Sequence, residues 1–176
     1  MRGIAALSMI IVAACATANP GSAIPGTTDV PIGTGAMRVR STDGPMVNAV
    51  AFPLDRVWRV LPAVYDSLGI PLSDVDPKQH MVGNSGLKVT KRLGRVALSK
   101  YIDCGKTQNF PSADTYDVHL AIFTQVESDK SGATTVATKV DASARPMAFS
   151  GPYTKCLSTE LLENSILGAI RAKLNR

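Results

Sequence analysis

The fold is decided by one stretch near the C-terminus, residues 155–170, KCLSTELLENSILGAI. Its apolar residues recur every four positions, at Leu162, Ile166, Ile170 and Leu174. This spacing predicts a closing helix with one apolar face, which Leu161 and Ala169 widen. The face must lie on other parts of the chain. We therefore expect a helix with Cys156 at its start, packed on strands that precede it.

The preceding chain carries several strand-like segments and one further helical pattern. Alternating apolar residues between Gly, Pro, Asn and Asp mark strands, and they lie at 37–40, 46–52, 79–84, 87–93, 116–127 and 133–144. Residues 53–68 have helical spacing and end at Gly69 and Pro71. Residues 96–105 fit either a short helical turn or an extended segment.

This order, β-β-α-β-β-β-β-α, predicts one α+β domain over residues 36–176. Short turns between neighbouring strands favour a largely antiparallel sheet of about six strands. Two amphipathic helices are expected on one face of that sheet, which leaves the other face more polar.

The N-terminal residues have the layout of an export signal: one basic residue, an apolar run and then small residues. The apolar run is too short to span a bilayer. Its end, Val12-Ala13-Ala14-Cys15, resembles the bacterial lipobox, which implies a signal peptide over residues 1–14 and a lipidated Cys15. Cleavage after Ala18 is the alternative, and it would give a soluble secreted protein. Prolines and glycines without any regular period make residues 15–35 a flexible linker.

The charge distribution argues against nucleic acid as a partner. The net charge of +5 is small, aromatic residues make up 5% of the chain, and nucleic-acid binding needs clustered Lys and Arg with interleaved aromatics. The densest basic run, residues 88–95, alternates like a strand and indicates a solvated strand face. Binding to an anionic surface such as lipid headgroups is the alternative.

Cys104 and Cys156 remain after Cys15 is assigned to the anchor. In an exported protein they are free to form a disulfide. A redox-active pair is disfavoured, because the Cys-x-x-Cys spacing that lowers a thiol pKa is missing. His80 and His119 stand apart from other ligating residues, so we expect no metal and no cofactor.

Few residues suggest chemistry. Asp114 and Asp117 could form an acid–base pair, but turn capping and solvation are the simpler interpretation. Nucleophile elbows and phosphate-binding glycine loops are missing from the sequence. We therefore expect no catalytic residues and no enzymatic activity. Trp58 lies on an amphipathic helix and is expected in the core, with a ligand-facing position as the alternative.

The export signal, Ala13-Ala14-Cys15, a loose linker and a small α+β domain closed by a helix resemble bacterial envelope lipoproteins. Over residues 37–175 the order of helices and strands also resembles the helix-grip domains of the outer-membrane assembly lipoprotein BamC. The chain departs from them in its expected disulfide and in having only one such domain. The resemblance implies protein–protein contact at the envelope.

Three functions follow as hypotheses. The first is a non-catalytic interaction or scaffolding module, held in the envelope by its lipid and contacting another envelope protein. The second is a carrier of a small apolar ligand between helices and sheet. Candidate lining residues for that carrier are Trp58, Tyr65, Met81 and Met147. The third is an enzyme of unrecognised type.

Overall fold

The computed structural model describes the backbone of residues 27–32 and 35–40, and the chain over 44–129, 131–148 and 150–176. The predicted signal peptide and Cys15 lie outside these residues. So does most of the predicted linker.

The described residues contain three α-helices, one 3-10 helical turn (Ser112–Asp114) and thirteen strands. The helices are α1 (Leu54–Ser67), α2 (Leu98–Tyr101) and α3 (Leu161–Leu174). The first seven strands are β1 (Thr27–Ile32), β2 (Gly35–Arg40), β3 (Met46–Val50), β4 (Asp74–Asp76), β5 (Met81–Thr90), β6 (Arg92–Leu93) and β7 (Val96–Ala97). The others are β8 (Ile102–Asp103), β9 (Lys106–Thr107), β10 (Phe110–Pro111), β11 (Tyr116–Ser128), β12 (Thr134–Pro146) and β13 (Thr154–Ser158).

Seven of these strands form the main sheet, in the order β4-β5-β11-β12-β13-β8, and β3 also pairs with β12. Every pairing within it is antiparallel. β12 is long enough to serve two neighbours, β3 along its first half and β13 along its second. The predicted α+β fold with a largely antiparallel sheet is confirmed.

The central hairpin, β11 and β12, divides the sheet into two faces by strict alternation. Apolar or threonine side chains on one face are buried and form the core with α1 and α3. Each helix contributes residues at three- and four-residue spacing, among them Val57, Leu61, Ile166 and Ile170. The apolar stripes of α1 and α3 pack against this face of the sheet, and that packing removes them from water.

One chain of hydroxyl groups crosses this apolar core. Tyr65 Oη donates to Thr124 Oγ1 at 2.9 Å, and Thr124 Oγ1 lies 3.1 Å from Thr138 Oγ1. All three residues are buried, so each hydroxyl needs a partner in the protein. Burial raises the pKa of Tyr65 to about 12, against the lowering effect of its bond with Thr124. Tyr65 is therefore a neutral, hydrogen-bonded core residue.

The predicted strand pair 79–84 and 87–93 is wrong, because β5 runs without a break from Met81 to Thr90. Residues 84–86 form a bulge in which Ala121 of β11 faces two residues of β5. Side chains bind the amides that the bulge removes from the ladder: Ser85 N–H donates to Asp74 Oδ2, and Gly86 N–H donates to Asn84 Oδ1. With those donors satisfied, the strand continues where a turn was expected.

The predicted start of the closing helix is also corrected. Cys156 lies in β13 opposite Ala142 of β12, and α3 begins only at Leu161. Glu160 has a φ of 64°, in the left-handed region, which turns the chain from strand to helix. The hydroxyl of Ser158, just before the helix, accepts an amide at this turn: Glu160 N–H donates to Ser158 Oγ at 3.0 Å.

Residues 27–32, within the predicted linker, form β1 and pair with β2. Four of these six residues, Thr27, Thr28, Val30 and Ile32, are β-branched and favour strands. Pro31 is compatible with a two-stranded hairpin, where each strand has an unpaired edge. Residues 96–105 contain both of the expected alternatives, the helical turn α2 followed by β8.

The predicted pairing of Cys104 with Cys156 agrees with the structure, in which the sulfur atoms lie 2.06 Å apart. The bridge joins residues 52 positions apart and ties the segment after β8 to β13. β8 and β13 also pair directly. This end of the sheet is therefore held both covalently and by backbone hydrogen bonds.

Substitution by alanine is expected to destabilise the domain at one glycine of β5 and to have little effect at another. A Cβ at Gly83 would overlap the carbonyl oxygen of Ile122 and the ring of Phe123, whereas a Cβ at Gly86 has no atom within 4 Å. Gly83→Ala is expected to lower the free energy of unfolding by roughly 1–3 kcal/mol. Gly86→Ala, the matched control, should change it by less than about 0.5 kcal/mol. Urea titrations compare them, and equal effects would contradict this packing of β5 on β11.

Removal of the disulfide is expected to destabilise the domain strongly. In the chain-entropy model a loop of this length contributes about 4 kcal/mol to the free energy of unfolding. The double change Cys104→Ser and Cys156→Ser should lower the urea midpoint accordingly. Wild-type protein refolded in reductant should match the double variant, while the double variant should not respond to reductant. A wild-type midpoint that ignores reductant would show that the bridge contributes no stability.

Candidate functional site

The face of the main sheet opposite α1 and α3, here called the open face, carries the candidate site. Its side chains are the alternate residues of β11 and β12 that do not enter the core, and they are partly exposed. On β11 they include Asp117, His119, Ala121, Phe123 and Gln125. On β12 they include Thr135, Ala137, Lys139, Asp141, Ser143 and Arg145. This face is more polar than the core face, as predicted.

Three side chains stack at one end of the open face. The rings of His119 and Tyr153 lie 4.2 Å apart, centre to centre, with 30° between their planes. The guanidinium carbon of Arg145 lies 4.6 Å from the centre of the same Tyr153 ring. Strand pairing places His119 and Arg145, whereas Tyr153 comes from the loop between β12 and β13. Cation–π attraction and ring stacking hold the three together.

The hydrogen bonds of Arg145 leave its charge poorly satisfied. Nη1 donates to the carbonyl oxygen of Gly151 at 3.4 Å, a long bond. Nε is buried and has no hydrogen-bond partner among the described residues. Register places Asp117 opposite Arg145 on the neighbouring strand, but the described side chains show no ion pair between them. A buried guanidinium donor without an acceptor costs free energy.

A cavity of about 270 Å³ opens beside this stack, between the ends of β5, β11 and β12. Its lining residues are Lys88, Val89, Thr90, Asp117, Val118, His119, Arg145 and Tyr153. The charged members are two cations, Lys88 and Arg145, and one carboxylate, Asp117. The cavity is therefore positive on balance, even with His119 neutral. We call this set of residues the Arg145 cavity.

Two further cavities lie nearby. One, of about 390 Å³, has the disulfide in its wall and contains Thr107, whose Oγ1 lies 2.8 Å from Tyr116 Oη and 3.0 Å from Ser112 Oγ. Those hydroxyl groups bind one another. The other, of about 430 Å³, is a shallower depression over the β5 bulge. The first is also lined by two cations, Lys106 and Lys155, but neither cavity is lined by a buried charged donor without a partner among the described residues.

The residues predicted to line an apolar ligand site differ in their exposure and contacts. Tyr65 is fully buried with its hydroxyl engaged, whereas Trp58 is partly exposed and packs edge-on against His80, with 5.6 Å between ring centres. Met147 is exposed in the loop after β12, and Met81 is at the start of β5. None of these four side chains lines the three cavities described above.

The paired carboxylates considered in the sequence do not act together. Asp114 accepts two hydrogen bonds from Ser99, from the amide at 2.8 Å and from the hydroxyl at 2.6 Å, and thereby caps the first turn of α2. Asp117 is among the residues that line the Arg145 cavity, whereas Asp114 is not. Within the described ranges no three His, Cys, Asp or Glu side chains come together in a way that could hold a metal ion.

Sequence reasoning missed Arg145 and Tyr153 and treated His119 as isolated. Strand alternation could have placed Asp117, His119 and Arg145 on one face, because all three lie on the polar positions of their strands. The pairing register of β11 with β12, which sets Arg145 opposite Asp117, is not readable from either strand alone. Tyr153 comes from a loop and has no period to reveal it.

Comparison with known proteins adds no assignment. No protein-family model matches the chain, and no curated protein is similar enough to count as a relative. In the described part of the chain, no helix has the length and apolar character needed to cross a membrane.

Besides Arg145, one other charged residue has a buried side-chain atom without a partner among the described residues. This is Glu163, in the first turn of α3, which lies on the core side of the domain and is 4% exposed. Its Oε1 accepts a hydrogen bond from Ser158 Oγ at 2.7 Å, whereas Oε2 has no partner among the described residues. Burial raises the pKa of Glu163, and this outweighs the lowering effect of the Ser158 bond. The carboxyl thus favours the protonated form more in the folded state than in the unfolded state.

The sign of this shift predicts how stability depends on pH. The folded state binds this proton more tightly than the unfolded state does. The stability that Glu163 contributes is therefore complete below its unfolded pKa and is lost as pH rises through its raised folded pKa. Glu163→Gln should therefore make the protein more stable at neutral pH and flatten its pH dependence in that window. Urea unfolding over a pH series measures this.

Glu127→Gln is the control, because Glu127 is an exposed carboxylate at the end of β11. It removes the same charge without the burial and should leave the pH profile close to that of the wild type. Equal profiles for wild type and Glu163→Gln would contradict the assigned role of the buried carboxyl.

Proposed function

We propose that the protein is a non-catalytic interaction module of the bacterial cell envelope, anchored by a lipid on Cys15, which contacts another envelope protein through the open face of its sheet. The observation that carries this proposal is the stack of His119, Tyr153 and Arg145 beside the Arg145 cavity. Tyrosine and arginine are enriched at protein interfaces, where they supply large contact areas and directional hydrogen bonds.

Two features of the open face support a binding role. His119 and Arg145 of the stack lie on the central strands β11 and β12, which are paired on both sides, so these two positions are rigid. Beyond it the face is a mixture of polar and small residues, with a salt bridge of 2.7 Å between Lys139 and Asp141. A partly buried aromatic–arginine centre within a polar surround fits the arrangement of a specific, non-obligate interface.

The alternative of an apolar-ligand carrier receives less support. A carrier site between helices and sheet would need Tyr65 to face a cavity, and Tyr65 is instead closely packed and bonded to Thr124. The proposed export and anchoring rest on the sequence of residues 1–15 alone. Export and anchoring together imply that the interaction takes place at a membrane surface outside the cytoplasm.

Site-specific photocrosslinking in cells tests the proposal. A photoreactive residue at Ala121 or Ser143 on the open face is expected to give a discrete crosslinked envelope protein. The same residue at Asn164 or Lys173 on α3 is the matched control and should give little or none. The intact mass of the purified chain belongs to the same experiment, because a lipidated Cys15 adds the mass of its acyl groups.

Three results would contradict the proposal. Crosslinks confined to α3 would move the interface to the other side of the domain. The absence of crosslinks from all positions would contradict the proposed interaction role. A mature chain without added lipid would remove the anchor.

A further inference from the structure

The ligand of the Arg145 cavity can be deduced from what its residues lack. Arg145 is the one fully ionised group there with a buried, unpartnered donor, and a guanidinium cannot lose its proton to relieve the mismatch. Among the described residues, this guanidinium has the Gly151 carbonyl as an acceptor, which Nη1 reaches at 3.4 Å. Nε itself is closed to solvent, so an external anion would bind the partly exposed guanidinium through its other nitrogen atoms and supply the missing negative charge, as carboxylates do in charge-assisted bonds.

The size of the cavity limits the anion to a small group. About 270 Å³ lies below the range of typical drug-sized ligand sites, and it suits one side chain or one short acidic group. Lys88, on the neighbouring strand β5, provides a second cation in the same lining. The rings of His119 and Tyr153 provide flat apolar contact for the stem of the incoming group.

The charge pattern favours a protein ligand over a lipid surface. Membranes are recognised by clusters of several Lys and Arg residues, each adding a modest attraction. Here two cations stand with Asp117 in the same cavity, and Asp141 lies further along the same face, already paired with Lys139. Those carboxylates would repel a uniformly anionic surface. They do not prevent a single carboxylate from reaching Arg145.

We infer that the Arg145 cavity binds one carboxylate side chain from an acidic segment of the partner protein, with Arg145 as the principal donor, Lys88 as a second cation and Asp117 as an internal competitor. The inference rests on the proposed function and names the chemistry of its partner. Asp117 keeps the free cavity from being strongly positive, and its negative charge weakens the attraction of the cavity for the incoming carboxylate.

Peptide binding to the purified full chain tests this inference. The probe is a fluorescent octapeptide of alternating Glu and Val, and its counterpart with Gln in place of Glu is the ligand control. Fluorescence anisotropy at low salt is expected to show tighter binding of the Glu peptide, weakening as salt is added. NMR spectra should show shifted amide signals for His119 and Tyr153 on addition of the Glu peptide.

The variants separate the specific donor from general attraction. Arg145→Ala should weaken binding about tenfold to a hundredfold, the range for hydrogen bonds to charged groups. Arg145→Lys keeps the charge but loses the planar fork, and should recover only part of that loss. Asp117→Asn should tighten binding by about two- to fivefold, because it removes the competing carboxylate.

Lys139→Ala is the matched control, because Lys139 lies on the same face but is already paired with Asp141. It should change the affinity by no more than about twofold. Thermal unfolding of every variant shows whether it is folded. Asp117→Asn is expected to bind more tightly, and a loss of structure would not produce that result.

Several outcomes would overturn the inference. These are equal binding of the Glu and Gln peptides, equal losses for Arg145→Ala and Lys139→Ala, and weaker binding by Asp117→Asn. Arg145-dependent binding of dihexanoyl-phosphatidylglycerol, a soluble anionic lipid, without binding of the Glu peptide would assign the cavity to lipid. If photocrosslinks form on the open face while the Glu peptide does not bind, the proposed function stands and this inference fails.

Discussion

The pairing of β11 with β12 is the constraint on which both the core and the candidate site depend. Its register sets Val118 opposite Ala144 on the core face and Asp117 opposite Arg145 on the open face. Because side chains alternate with a period of two, a slip of one residue would exchange the faces. It would bring Arg145 into the apolar core and expose the valines. The burial that stabilises the fold therefore also fixes where the cationic site lies.

The remaining elements explain why the site lies at this end of the sheet. β12 is longer than either neighbour on its outer side, so it pairs with β3 first and then with β13. The chain must leave β12 and return as β13 within a few residues, and this loop carries Tyr153 back over Arg145. The Cys104–Cys156 bridge fixes β13 on its far side. Loop and strand are thus held together where the stack forms.

The periodic features were predictable from the sequence and the local exceptions were not. The alternation of residues 116–127 and the four-residue spacing from Leu162 to Leu174 specify burial along a whole element, and the structure confirms both elements. The bulge at residues 84–86 resembles a turn in composition, and only Asp74 and Asn84 bonding its amides keep the strand continuous. Arg145 and Tyr153 meet through register and loop path, which leave no local pattern.

Two buried side-chain atoms lack a partner among the described residues, Arg145 Nε and Glu163 Oε2, and their chemistry gives them different meanings. A carboxyl can take up a proton and become neutral, and burial shifts the pKa of Glu163 in that direction. The domain can thus relieve Glu163 by itself. A guanidinium stays charged at any ordinary pH. The free-energy cost of its buried, unpartnered donor is removed only by a hydrogen-bond acceptor. The described residues give Arg145 one long hydrogen bond, to the Gly151 carbonyl. The hydroxyl chain from Tyr65 to Thr138 shows that this fold satisfies polar groups elsewhere in its interior, so the unmet donor at Arg145 is an exception within the described residues, and the proposed carboxylate site rests on it.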